Sequence, residues 1–213
     1  MNLKVYVLVT GELCQGRPPG EVVEATLQGG ASAIQLREKN LSGRELVDLA
    51  CKYRQLTKRY GALFIVNDRL DVALAAGADG VHLGQDDLPA RVARRLLGSK
   101  KLIGVSVGDV AEARKAQADG ADYVGLGPFF PTDSKADVGE PVDLATLREV
   151  KEAVDIPVVA IGGIKAENAA ALFAAGADGV AVISAVVAAP DIAGATRRLL
   201  AVAEGRGLSA KGE

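Results

Sequence analysis

The chain has 213 residues, 49% of them apolar, with one histidine, two cysteines and a formal net charge of −2. That much apolar material supports one substantial core and argues against disorder over most of the length. Interspersed acids and bases give no basic field for nucleic acid and no polybasic stretch for a membrane surface, no run nears the roughly 18 apolar residues of a membrane span, and one histidine with two distant cysteines argues against zinc. The expectation is a soluble, cytoplasmic protein with small-molecule partners, Cys14 and Cys51 as free thiols, and oligomeric state (a homo-oligomer included) left open.

The chain opens on a β-like run, KVYVLVT, at 4 to 10, followed by AIQLRE at 33 to 38. A helical stretch over 42 to 60 puts Leu46, Leu49, Ala50, Tyr53, Leu56 and Tyr60 on one face, and Ser42 with Glu45 forms a capping-box signature at its start. Strand candidates LFIVN (63 to 67), GVHLG (80 to 84) and LIGVSV (102 to 107) come next, and Asp109 with Glu112 repeats the capping signature. The last three are YVGLGP (123 to 128), PVVAIGG (157 to 163) and GVAVIS (179 to 184). Four of these runs are entered through one recurring phrase, GGASAI at 29, AGADGV at 76, DGADYV at 119 and AGADGV at 175, whose glycines Gly30, Gly77, Gly120 and Gly176 read as helix C-terminal caps. Near-continuous apolar strands separated by amphipathic helices predict a parallel sheet, and eight β/α units most simply close into a (β/α)8 TIM barrel, with a doubly wound open sheet as the alternative. We expect a single α/β barrel domain over 1 to 204 and a frayed polar tail over 205 to 213.

Barrels carry their chemistry at the C-terminal ends of the strands. There strand 2 delivers Gln35, Arg37, Glu38 and Lys39, strand 3 Asn67 and Asp68, strand 4 His82, Gln85, Asp86 and Asp87, and strand 5 Ser106. Alternation puts Gln35, Arg37 and Lys39 on one side, and a guanidinium with an ammonium suits phosphate oxygens; the alternative is a pair of surface charges. Asp68 and Asp87 follow adjacent strands, where two carboxylates suit Mg²⁺ shared with substrate phosphates. Each could instead cap a helix, Asp87 ahead of Leu88-Pro89 and Asn67 or Asp68 ahead of the next helix. Gly162-Gly163 and Ser184, after strands 7 and 8, fit a second, backbone-lined anion cradle, the alternative being a tight turn. His82 lies within its strand, equally a structural histidine or an acid-base group. The stretch GLGPFFPTDSKADVG, 125 to 139, gathers Thr132, Asp133, Ser134 and Lys135 where no core pattern requires them.

QLREK (35 to 39), VNDR (66 to 69), GVHLGQDD (80 to 87), GVS (104 to 106), DYVGLGPFFPTDSK (122 to 135), AIGGI (160 to 164) and GADGVAVIS (176 to 184), in that order, resemble the thiamine-phosphate synthase family. The resemblance implies a Mg²⁺-dependent transferase of thiamine biosynthesis on a (β/α)8 barrel. It joins 4-amino-2-methyl-5-hydroxymethylpyrimidine diphosphate to 4-methyl-5-(2-phosphoethyl)thiazole, with release of pyrophosphate through a dissociative, carbocation-like route. It further implies that Gln35, Leu36, Arg37, Glu38, Lys39, Asn67, Ser106 and Lys135 hold the pyrimidine diphosphate. Thr132, Asp133, Ser134, Gly163, Ile183 and Ser184 would meet the thiazole phosphate, and Asp68 with Asp87 would bind Mg²⁺. Arg37, Lys39, Ser106 and Lys135 would then be the catalytic groups, stabilising charge on the departing diphosphate. Ser134 stands where the family often has threonine, and Phe129-Phe130 where an aliphatic residue commonly precedes the aromatic. The rival readings are a thiazole tautomerase, a non-catalytic phosphate-binding barrel, and a phosphosugar isomerase with Glu38 as base.

Overall fold

The computed structural model describes residues 1 to 132 and 140 to 206. Eight parallel strands close into a barrel in sequence order: β1 (Val5–Val9), β2 (Ala33–Leu36), β3 (Leu63–Asn67), β4 (Gly80–Leu83), β5 (Leu102–Val107), β6 (Tyr123–Leu126), β7 (Val158–Ile161) and β8 (Gly179–Val182). The open-sheet alternative is excluded by the parallel pairing of β1 with β8, Val5 opposite Val180. Each strand falls within the run read from sequence, trimmed where the chain turns toward the cavity end. The covering helices are α1 (Pro19–Gln28), α2 (Gly43–Tyr60), α3 (Leu70–Ala75), α4 (Ala90–Leu97), α5 (Val110–Ala118), α6 (Leu144–Ala153), α7 (Ala166–Ala174), α8 (Ser184–Val187) and α9 (Ile192–Ala203). Among the described residues, no helix is long and apolar enough to cross a membrane.

Period-two alternation sorts the core into two bodies. One face of the strands packs outward on the helices, as with Val7, Ile34, Phe64, Val81 and Ile103. The other fills the barrel with Tyr6, Leu8, Ala33, Ile65, Tyr123, Val159 and Ala181. The capping box of α2 forms as read, Ser42 Oγ accepting from the Glu45 N–H and Glu45 accepting from the Ser42 N–H. At α5 only half of it does: Asp109 caps the Glu112 N–H, but the Glu112 carboxylate accepts from Gly108 instead.

The recurring phrase does more than turn the chain. Its glycines lie one position beyond the helix C-caps at positive φ (94°, 64°, 93° and 104°), the left-handed step that ends each helix. The side chain two residues on then reaches back to the preceding odd-numbered strand. Ser32 Oγ accepts the Val5 N–H at 3.1 Å, Asp79 the Phe64 N–H at 2.8 Å, Asp122 the Ile103 N–H at 2.7 Å and Asp178 the Val158 N–H at 2.7 Å. The three carboxylates are each paired with a cation from an even-numbered helix, Arg54, Arg94 and Lys151. The barrel is therefore a fourfold repeat of two β/α units, clamped at the N-terminal ends of its strands. Asp122→Ala is expected to cost about 2 kcal/mol in urea unfolding, by stranding the Ile103 N–H and removing the ion pair of Arg94, which keeps its carbonyl acceptors Gly98, Lys101 and Gly120, with kcat unchanged. A loss of activity at unchanged stability would contradict this structural assignment.

Candidate active site

At the other end, the strand termini bring the polar residues together around two adjoining cavities. The larger, about 710 Å³, is walled by Arg37, Lys39, Asn67, Asp68, His82, Asp87 and Ser106, with Gln85, Asp86, Glu112 and Glu140 toward its rim. The smaller, about 360 Å³, is lined by Leu13, Thr132, Gly162, Gly163, Ile164, Lys165, Ile183 and Ser184. Thr132, Ile161 and Gly162 belong to both, so one short wall separates the two cavities.

Asp68 follows β3 with φ +60°, a left-handed conformation that aspartate and asparagine tolerate better than most residues. The turn is fixed by the Asp68 N–H donating to the His82 carbonyl at 2.9 Å and the Arg69 N–H donating to the Asn67 carbonyl at 2.7 Å. It aims the carboxyl at Asp87, whose Oδ2 accepts the Gly84 N–H at 2.7 Å. Neither aspartate caps a helix: α3 begins after Arg69 and α4 after Pro89, both without a side-chain cap. Burial, then the hydrogen bond and repulsion from Asp87, push the Asp68 carboxyl up to about 6, against the pull of Arg37 and Lys39. A half-buried carboxyl pair under two cations fits a hard divalent ion that would displace the proton held on Asp68. Among the described residues, no three His, Cys, Asp or Glu side chains converge on a metal position, so such an ion would complete its shell with substrate oxygens and water.

The β2 stretch divides by side. Arg37 and Lys39 face the larger cavity. Gln35 lies inside the barrel at 1% exposure, and Leu36 is buried in the helix-facing core. Glu38 turns away to accept the Gly11 N–H at 2.5 Å, and burial raises its carboxyl above the ordinary range. None of these three lines either of the two cavities, but Gln35 keeps a buried Oε1 that has no hydrogen-bond partner among the described residues. The glycine pair after β7 has positive φ (101° and 63°), and a β-carbon at either position would overlap the loop after β6, at Pro128 for Gly162 and at Phe130 and Pro131 for Gly163. The loop root docks there through the Phe129 N–H on the Ile161 carbonyl and the Phe130 N–H on the Gly162 carbonyl, both 3.1 Å. The glycines thus seat Thr132 as well as exposing backbone to the smaller cavity. Asp133, Ser134 and Lys135 lie outside the described residues.

Several site residues were not singled out from sequence. Lys165 stands two residues after the glycine pair at the start of α7, a signal that was available. Leu13 arrives from the β1–α1 connection, brought beside α8 by barrel closure, and carries no local sign. Ser184, by contrast, was sought here, but it opens α8, a separate short helix that the sequence had merged with the end of strand 8.

Fold and site together define a (β/α)8 barrel of the kind that carries its chemistry at the C-terminal ends of its strands. The family model described as thiamine monophosphate synthase matches residues 5–186. Among curated proteins, the thiamine-phosphate synthase of Moorella thermoacetica is 59% identical over 92% of this chain and 93% of its own, and that of Chloroflexus aurantiacus 51% identical over 95% and 93%. Among solved structures, the thiamine phosphate pyrophosphorylase from Pyrococcus furiosus superposes with a TM-score of 0.88 at 46% identity, covering 96% of this chain and 97% of that one. The chain belongs to the thiamine monophosphate synthase family.

Proposed function

We propose that the chain is a transferase of thiamine biosynthesis that moves the 4-amino-2-methylpyrimidin-5-ylmethyl group from its diphosphate to the ring nitrogen of 4-methyl-5-(2-phosphoethyl)thiazole. The observation that carries this reading is the pair of adjoining cavities with one shared wall. One is lined by cations and a carboxylate pair, the other by glycine backbone and hydroxyl groups. Two phosphate-bearing substrates lodged on either side of Thr132 and Gly162 would meet with their reacting atoms at the wall, which removes much of the entropic barrier to coupling.

In the larger cavity Arg37, Lys39, Asn67 and Ser106 hold the pyrimidine diphosphate, joined by Lys135 from the loop beyond. Gln35, Leu36 and Glu38 act from behind. In the smaller cavity Thr132, Gly163, Ile183 and Ser184, with Asp133 and Ser134 from the same loop, hold the thiazole phosphate. The C–O bond to the diphosphate breaks with its electron pair going to the leaving group, and the resulting pyrimidinylmethyl cation is captured by the lone pair of the thiazole nitrogen. Negative charge grows on the leaving diphosphate as this happens, so fixed donors there stabilise the transition state more than the bound substrate. When bound by Asp68 and Asp87, Mg²⁺ supplies further neutralisation of that charge. The lining calls for no obligatory general base. A tautomerase, by contrast, has no use for a carboxylate pair beneath two cations. Both substrates carry phosphate and are retained inside the cell, so we assign the reaction to the cytoplasm.

Purified protein mixed with both substrates and Mg²⁺ is expected to release thiamine phosphate and pyrophosphate in equal amounts, and EDTA to abolish both. Well-folded protein that forms neither product would overturn this reading.

A further inference from the structure

Five side chains from five strands form one hydrogen-bonded chain through the barrel interior. Gln35 Nε2 donates to the Tyr6 hydroxyl at 2.6 Å, and the Tyr6 and Tyr123 hydroxyls lie 3.0 Å apart. The Tyr123 hydroxyl is 3.0 Å from His82 Nδ1, and His82 Nε2 is 2.9 Å from Ser106 Oγ. Its inner members are closed off from water, with Gln35 and Tyr6 at 1% exposure and Tyr123 at 0%, whereas His82 and Ser106 reach the larger cavity. Two glycines make the room: a methyl on Gly104 would overlap the Tyr123 ring and His82 Nδ1, and one on Gly125 would come within 3.1 Å of His82 Cε1.

Each hydroxyl has one proton to give, so the first donor sets the direction of all the bonds. The Gln35 amide occupies a lone pair of Tyr6, which sends the Tyr6 proton to Tyr123 and the Tyr123 proton to His82 Nδ1. Burial raises both phenols, so each keeps the proton it must donate. An Nδ1 that accepts is bare, so the neutral ring carries its proton on Nε2 and gives it to Ser106 Oγ. The Ser106 proton is then left for the cavity. With an acceptor in place of the Gln35 amide, every bond reverses: Ser106 spends its proton on a bare His82 Nε2 and offers the cavity only lone pairs, the wrong polarity beside a departing anion.

We propose that this chain is a polarity relay: Gln35 fixes His82 as the neutral Nε2–H tautomer, and His82 in turn commits Ser106 to donate its hydroxyl proton to the leaving diphosphate. The last clause rests on the function proposed above; the tautomer does not. His82 is thus a positioning residue and not an acid or base, and Gln35 acts on it through two tyrosines by its Nε2, its Oε1 being buried without a hydrogen-bond partner among the described residues.

Because the chain has a single histidine, ring-¹⁵N-histidine labelling gives one pair of resonances, and a two-bond ¹H–¹⁵N spectrum of the substrate-free protein reads the tautomer directly. The expected result is a bare Nδ1 and a protonated Nε2 in the wild type, retained in Ser106→Ala because the direction is set from the Gln35 end. Gln35→Glu, recorded up to about pH 9.5 so that even a buried carboxyl ionises, is expected to move the proton to Nδ1. It should also lower kcat by about 100-fold with the KM for thiazole phosphate unchanged. A protonated Nδ1 in the wild type, loss of the tautomer in Ser106→Ala, or an unmoved tautomer in Gln35→Glu would each overturn the relay. A protein that shows the Nε2–H tautomer yet couples no substrates would instead sink the functional reading and leave the relay standing.

Discussion

Asp68→Asn is expected to lower kcat about a thousand-fold, abolish the response to added Mg²⁺, and at the same time make the metal-free protein more stable above pH 6. The three effects share one cause. The Asp68 carboxyl sits against Asp87 in a half-buried position and is pushed up to about 6, so the folded protein binds its proton more tightly than the unfolded chain, where an aspartate titrates near 3.9. Stability contributed by that proton is therefore fully present below about pH 4 and lost as the pH rises through 6. A rise from about 4 to about 6 corresponds to about 3 kcal/mol, and about 1 kcal/mol remains after allowance for solvent screening in an open cavity. Asparagine tolerates the left-handed backbone at this position and can donate to Asp87 as the protonated Asp68 carboxyl does. Melting at pH 8 in EDTA should rise by about 3 °C, while melting at pH 4 should not. The same carboxyl couples metal to proton, so the Mg²⁺ needed for half-maximal rate should increase as pH falls below 6. Normal turnover in the variant would remove the carboxylate pair from the mechanism; unchanged melting at pH 8 would show that the pair is not strained in the absence of metal.

Arg37→Gln is expected to reduce kcat by about 100- to 1,000-fold with little change in the KM for thiazole phosphate. The guanidinium lines the larger and not the smaller of the two cavities, and in the proposed reaction its planar fork would meet a group whose charge grows in the transition state. Arg37→Lys should restore only part of the rate, because an ammonium keeps the charge and loses the fork. Arg37 also holds the Asp68 carboxyl down, so its removal should shift the pH midpoint for Mg²⁺ activation upward from about 6. Pyrophosphate release followed against pH tests both effects in one experiment. A rise in the KM for thiazole phosphate with kcat intact would move Arg37 out of the diphosphate site.

What could be read from the sequence is what repeats or alternates. The near-continuous apolar runs and the four GAD-like phrases marked eight strands, and eight β/α units in one chain left closure as the simplest outcome. The cavity walls followed from knowing which end of each strand is reactive, which is why Arg37, Lys39, Asn67, Asp68, Asp87 and Ser106 fall where they were sought. Side-chain direction beyond the strand was not legible. Glu38 and Arg37 are neighbours in one motif, yet one turns to the Gly11 amide and the other to the cavity, a choice made by tertiary contacts with the β1–α1 connection. The interior chain was hidden for another reason. Tyr6, Gln35, His82, Tyr123 and Ser106 are scattered over five strands and meet only when the register of the closed barrel is known, so no local pattern joins them.

The four clamps at the base of the barrel have a consequence for how such a chain can change over generations. Ser32, Asp79, Asp122 and Asp178 secure the strands at the end remote from both cavities, and none of them lines either one. Mutational drift at the mouth is thereby uncoupled from the closure of the sheet. The loops after β2, β4 and β6 can be lengthened, recharged or exchanged while the barrel stays shut, and new substrate preferences can be explored without first surrendering the fold.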